Sequence, residues 1–421
     1  MASTSPDRIV TLDIIRGIAV MGIFSVNIIA FAMIEGAYGN PAAYGGWHGA
    51  DLFVWAANLV VIDGKMRTLF SMLFGASTLL VIERAEAAGL SGAKVHVRRM
   101  LVLLGFGLAH FYLVWFGDIL TLYAVSGLIA FLFRKLPVER LIALGMAFLL
   151  GSMLLFGGFM FSQYQADIAA HAPNAAQAAI KEWNDGLGSF YPGIGKVTAD
   201  MALHLGPWLG LVTHNLREWA EIIPSTLAFM PDTIGLMLLG MAGYKSGFLI
   251  GQWDDRAYRK VAWIGLGTGL TAFAGLAALA WQANFAPLEF MIANRVAAPP
   301  LRPVTAVGFI ALFILMFRNG SAIRDRFAAV GRTAFSNYLG CTIIGTCIFY
   351  GFGGDLYAQV SRGQAWLLVP PVWAVMLLWP KPWLERFNYG PFEWLWRSLA
   401  RGKLQPMRKR QPEPVAAPAE A

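Results

Sequence analysis

His110 lies in the apolar run GFGLAHFYLVWFGDIL, about six residues, or ~9 Å along a helix, short of Gly117 and Asp118. A neutral imidazole at such a depth can act as a general base towards a hydroxyl or an amine, provided a polar cavity reaches it and a partner fixes its tautomer. The simpler alternative is a histidine bonded to a neighbouring helix. Asp118 is eight residues further on, two turns away in a continuous helix. It reaches His110 only if Gly117 ends the helix and the chain folds inward.

Other polar groups interrupt the apolar blocks. Asp13 and Arg16 are three apart at one end of the first block, on one helix face and within pairing distance, so a structural ion pair is the plain reading. Asn27 is further along the same block, where its amide must either bond another helix or line a cavity. Arg67 beside Lys65, together with Arg295 and Arg302, has the chemistry to hold an anionic group. Snorkelling to headgroups is the simpler account of all three arginines. Cys341 and Cys347 are six apart and on different sides of one helix, which excludes a mutual disulfide, and no histidine cluster accompanies them to form a metal site. Gly265, Gly267 and Gly269, and also Gly351, Gly353 and Gly354, resemble phosphate loops superficially but follow no strand. Close helix packing explains the first set.

The elements that carry these residues follow from composition. Of 421 residues, 57% are hydrophobic and 14% charged, with a mean hydropathy of +0.56, which no soluble surface could be built from. The apolar residues fall in blocks near the roughly 20 residues that cross a bilayer as a helix, and they do not alternate as β-barrel strands do. The fold class expected is all-α, a polytopic membrane bundle. Spans are predicted at about 12–34, 67–83, 99–116, 119–134, 139–162, 223–244, 259–283, 302–317, 333–352 and 364–380, roughly ten crossings. The first block begins after Arg8 without a cleavage pattern and is expected to be a retained span, not a signal peptide.

The net charge of +8 reports topology and not nucleic-acid binding, because the basic residues sit in alternate loops. Four loops are basic: that of Arg84 to Arg99, that of Arg134 to Arg140, that of Lys245 to Lys260, and that of Arg318 to Arg332. With the tail from Arg397 to Arg410, they define a cytoplasmic side that holds both termini. Glu35 to Lys65, Gln163 to Pro224 and the turns at Asp118, Glu289 and Asp355 then face the periplasm. Asp51 to Asp63 reads as a re-entrant or interfacial helix, and 163–222 as a periplasmic cap with interfacial helices. Residues 1–404 form one membrane domain and 405–421 a disordered cytoplasmic tail. After the last span NYGPFEWLWRSLARGK reads as an interfacial helix at the inner surface.

Five blocks, LDIIRGIAVMGIFSVNI, MRTLFSMLFGAS, GFGLAHFYLVWFGDILTLYAVSGL, GRTAFSNYL and YGPFEWLWR, resemble the YeiB-like family of uncharacterised bacterial membrane proteins, domain of unknown function family 418. They recur in order over almost the whole chain. That family is thought similar to transmembrane acyltransferases, which move acyl groups from a cytoplasmic thioester to an acceptor on the far side, an analogy between families. The resemblance puts His110, Asp118, Asp13, Arg16 and Asn27 on family-pattern positions and adds Asn337 and Tyr338 of GRTAFSNYL as binding candidates, with Arg67. Two departures qualify it. Related sugar acyltransferases carry a histidine late in the first span, where this chain has Asn27. The lysosomal heparan acetyltransferase uses a histidine in the first outer loop, for which GGWHGADLF offers His48 beside Trp47 and Asp51, a second catalytic candidate.

The resemblance therefore implies an inner-membrane acyltransferase with an acyl-CoA-like thioester as donor substrate and no bound cofactor or metal. Its base is His110 or His48, and its acceptor a small molecule or glycan. Membrane lipids are the expected surroundings and a homodimer is open. The alternative is a transporter or lipid flippase whose polar residues line a pathway, which internal symmetry would favour, although no convincing repeat is visible.

Overall fold

The computed structural model describes residues 9–187 and 191–409. Among them the protein is all helical, with one isolated bridge, Phe387 to Arg408, as its only β pairing. The helices are α1 (Val10–Ala32), α2 (Glu35–Gly39), α3 (Ala50–Ala57), α4 (Lys65–Ala87), α5 (Gly92–Leu113), α6 (Leu120–Ala130) and α7 (Val138–Ala170). After these come α8 (Gln177–Leu187), α9 (Ile194–His204), α10 (Trp208–Arg217), α11 (Ile222–Lys245), α12 (Asp255–Gln282), α13 (Pro287–Ile292) and α14 (Ala298–Met316). The chain closes with α15 (Ala322–Arg332), α16 (Ala334–Phe349), α17 (Arg362–Trp366), α18 (Val369–Leu378), α19 (Pro380–Arg386) and α20 (Pro391–Arg401).

Each of the ten apolar blocks falls on a helix. Among the described residues seven helical stretches are long and apolar enough to cross a membrane, and Leu120–Phe133 and Ala334–Phe349 are shorter apolar helices. Boundaries move where packing overrides hydropathy. The helix expected at 139–162 runs on to Ala170, and α3 continues through a π turn at Asn58–Ile62 and a short turn into α4. The final block is interrupted, passing from α17 to α18 and α19 around Pro370, Pro371 and Pro380.

Burial orders the bundle. The apolar window of α1 is 72% buried and that of α7 only 17%, so α1 is central and α7 peripheral. Leu150, Leu154, Leu155 and Phe159 point outward from α7, an apolar exterior that lipid tolerates and water does not. Small residues let the central helices touch backbone to backbone. A Cβ at Gly17 or Gly331 would collide with the carbonyl oxygens of Phe327 and Asp13 across α1 and α15. Gly75 and Gly240 meet Met237 and Met72 in the same way across α4 and α11. Gly265 and Gly269 sit against Gly308 and Thr305 of α14, the close packing expected of that glycine set, while Gly267 faces open space.

At the opposite end from Asn27, the amphipathic α20 docks through Glu393, whose carboxylate accepts the N–H groups of Phe335 (2.7 Å) and Ser336 (3.0 Å) at the start of α16. Trp396 donates to the Arg99 carbonyl at 3.0 Å with the Arg99 guanidinium over its ring. Of the segment assigned to a tail, Met407 and Lys409 pair with Asn388 and Arg386, and 410–421 lies outside the described residues.

Candidate active site

The site begins with the end of α5. That helix stops at Leu113, where the N–H groups of Val114 and Trp115 both return to the His110 carbonyl (3.0 and 2.9 Å), and the chain turns inward. The turn is the condition under which Asp118 can reach His110, and it does. Asp118 Oδ1 is 3.0 Å from His110 Nδ1, and the same carboxylate accepts the N–H groups of Leu120 (3.1 Å) and Thr121 (2.8 Å), capping α6. Gly107, one turn before His110, makes room for this arrangement, since a side chain there would collide with Thr121 and press on Asp118.

On its other side the imidazole meets α16: His110 Nε2 is 3.1 Å from Thr342 Oγ1. A fully buried carboxylate beside Nδ1 requires the proton on Nδ1, which leaves the Nε2 lone pair facing the Thr342 hydroxyl in the neutral ring. That hydroxyl has one hydrogen and two acceptors within reach, the imidazole and the Tyr338 carbonyl at 3.3 Å. The result is an Asp118–His110–Thr342 chain inside the bundle, with Trp115 and Tyr338 rings 6.1 and 5.4 Å from the imidazole. Beside it is a small cavity lined by Val20, Ile23, Phe24, Asn27 and Phe31 of α1 and Tyr338, Cys341 and Thr342 of α16.

The cavity therefore brings together Asn27, Tyr338 and Thr342, next to His110 and Asp118. The other candidates lie elsewhere. Asp13 and Arg16 form their ion pair at 3.1 Å, Arg16 also donating to Ser77 at 2.7 Å, about 16 Å along α1 from Asn27. Asn337 is occupied structurally: its amide donates to Thr333 Oγ1 (3.0 Å) and accepts from the Trp379 indole (2.8 Å). Arg67 is paired with Asp232 and Thr233 of α11. His48 is exposed beside Trp47, their rings tilted at 34°, and the Trp47 ring packs on Phe285, in a different cluster from His110. Cys341 and Cys347 are both free, and no metal-binding group of histidine, cysteine or carboxylate side chains occurs among the described residues.

Thr342 and Gly107 are the contributors that sequence reasoning missed. The available signal was spacing: Thr342 is four residues from Tyr338 and Gly107 three before His110, so each shares a helix face with a residue already singled out. A second histidine was also unrecognised. His204 of α9 is buried with Nδ1 2.8 Å from Asp200, its ring stacked on Tyr357, whose hydroxyl donates to Asp200 at 2.9 Å. Burial pushes the Tyr357 phenol up, and the charge of Asp200 adds to it. These contacts hold α9 against the loop after α16.

Apolar helices with a buried Asp–His–Thr chain at a cavity between two of them define a helical membrane protein with one concentrated polar site. The chain belongs to the family described as Protein of unknown function (DUF418), whose family model matches residues 243–403. It is 33% identical over 405 residues to Uncharacterized protein YeiB of Escherichia coli (strain K12), covering 93% of this chain and 96% of the relative. It is 32% identical over 428 residues to Uncharacterized protein YxaH of Bacillus subtilis (strain 168), covering 97% and 99%. No solved structure matches the chain significantly.

Proposed function

We propose that the chain is a transmembrane acyltransferase of the bacterial inner membrane that moves an acyl group from a cytoplasmic, acyl-CoA-like thioester to a hydroxyl or amine facing the periplasm. Ten spans with both termini inside are part of this reading. The observation that carries it is the His110 imidazole held between Asp118 and Thr342 at a cavity.

With Nδ1–H committed to Asp118, Nε2 is the basic atom. An acceptor takes the place of Thr342 at Nε2, and the Thr342 hydroxyl turns to the Tyr338 carbonyl already within 3.3 Å. Nε2 removes the acceptor's proton as its oxygen or nitrogen attacks the thioester carbonyl. The carbon–sulfur bond breaks, and the leaving thiolate receives that proton from the imidazolium, which Asp118 stabilises meanwhile. Asn27 and Tyr338, at the same cavity, are the groups that orient the acyl chain or the acceptor.

The test is incubation of the purified protein with a panel of acyl-CoA thioesters, reading binding and loss of the acyl group for wild type, His110→Ala and His48→Ala. Saturable binding with deacylation lost in His110→Ala is the expected result. Binding of no thioester, with a lipid or solute translocated unchanged, would replace this reading by transport.

A further inference from the structure

The second half of α1 separates two cavities. One face, with Ile23, Asn27 and Phe31, borders the His110 site, and the other, with Val26 and Ile29, borders a small crevice between α2, the π turn before α4, and α17. Its polar wall comprises Tyr38, Asn58, Asp63, Asn294 and Arg362.

Positive charge is in excess there. Arg362 is 3% exposed and donates one guanidinium N–H to the Ala37 carbonyl at 2.6 Å, while its Nε is buried without a partner. The nearby carboxylate Asp51 is taken up by the Ser361 hydroxyl (2.8 Å) and the Gly363 N–H (2.6 Å). Arg302 lies over Gly64, whose φ of +71° and lack of a side chain leave the guanidinium its place. Its Nε is likewise buried without a partner, and its one hydrogen bond, to the Asn294 carbonyl, is long at 3.4 Å. Tyr38 feels the charges of Asp63, Arg67, Arg302 and Arg295 together. Arg67 is paired with Asp232, and the carboxylates nearest the other two guanidinium groups are Asp63 and Asp232 for Arg302 and Asp51 for Arg362.

Two guanidinium groups, each with a buried and unused Nε donor, cost free energy unless an acceptor reaches them. We infer that this crevice binds a phosphate group, held by Arg362 in its wall and by Arg302, which stands behind the lining residues Asn294 and Asp63, with the Tyr38 hydroxyl as a further donor. A tetrahedral phosphate offers oxygens to several donors at once, which suits two separate forks better than a planar carboxylate does. A lipid phosphodiester and free phosphate present the same chemistry, and the experiment separates them. The site is on the opposite face of α1 from His110 and does not depend on acyl transfer.

The test uses the full chain without any thioester. The thermal midpoint is measured in detergent against inorganic phosphate, and in nanodiscs of phosphatidylcholine with or without phosphatidylglycerol. Retained lipid is counted by native mass spectrometry. Stabilisation by phosphatidylglycerol alone identifies a lipid headgroup, and stabilisation by inorganic phosphate identifies a soluble ligand. Either must weaken by about tenfold or more in Arg302→Gln and Arg362→Gln, the loss of a charge-assisted hydrogen bond. Tyr38→Phe leaves the cations in place and is expected to weaken binding less. It carries the test if an arginine variant does not fold. Arg256→Gln, exposed on α12, must respond as wild type. Absence of any response to both probes, or variants that respond as wild type does, overturns the proposal.

Discussion

His110 Nδ1 and Asp118 Oδ1 are 3.0 Å apart although eight residues separate them, because α5 ends at Leu113 and the turn carries the carboxylate back under the ring. Asp118 thereby has two tasks, holding the imidazole tautomer and capping α6. Asp118→Asn separates them. An asparagine oxygen still caps the helix, so the thermal midpoint should change little, whereas under the proposed acyl transfer the wrong tautomer at His110 should lower turnover by orders of magnitude. Unchanged deacylation in Asp118→Asn would remove the carboxylate from the mechanism.

Thr342 is the hydroxyl that Nε2 meets. Thr342→Val keeps the shape and removes the hydrogen bond, for a cost of about 1 kcal/mol. Thr342→Ser keeps the hydroxyl and should restore the stability lost in Thr342→Val, while the proposed transfer, in which the acceptor displaces Thr342, should survive in both. Thermal unfolding in detergent and thioester turnover on the two variants distinguish loss of the hydroxyl from loss of packing.

Gly240 meets the Met72 carbonyl where α11 crosses α4. Backbone cannot yield as a flexible side chain does, so Gly240→Ala is expected to destabilise the protein by about 1–3 kcal/mol or more. Gly267→Ala faces open space and should be neutral. Comparing their melting temperatures checks that helix contact, and not glycine content, sets the cost.

Arg67 and Asp232 pair across α4 and α11 with little exposure. Removing one partner in Arg67→Met strands the buried carboxylate, an expected loss of about 3–5 kcal/mol. The double variant Arg67→Met/Asp232→Leu should recover most of it. A double variant as unstable as the single one would show that the pair is not what holds the two helices.

Burial raises the Glu393 carboxyl above its ordinary 4.5, with hydrogen bonds from Ser336 and Phe335 opposing the shift. The folded state then holds this proton more tightly than the unfolded state. Its contribution is complete below the ordinary value and is lost as pH rises through the raised one. Melting temperatures between about pH 4 and 8 should carry this decline, and Glu393→Gln should flatten that part of the profile.

The sequence alone determined the helical class, the position of every apolar block and the pairing of Asp13 with Arg16. Each of these depends on local chemistry: hydropathy over a window of one helix length, or two charges three residues apart. It also isolated His110, because an imidazole inside an apolar run is conspicuous wherever the run is packed. Only the tertiary structure decided what His110 touches. Asp118 reaches it through a turn for which the missing side chain at Gly107 leaves room, and Thr342 comes from a helix 232 positions later. The meeting of Arg362 with Asn294, to which Arg302 is bonded, in the wall of one crevice is of the same kind. Spacing along a chain reports neighbours on one helix, whereas contacts between helices are fixed by which small residues allow two backbones to approach.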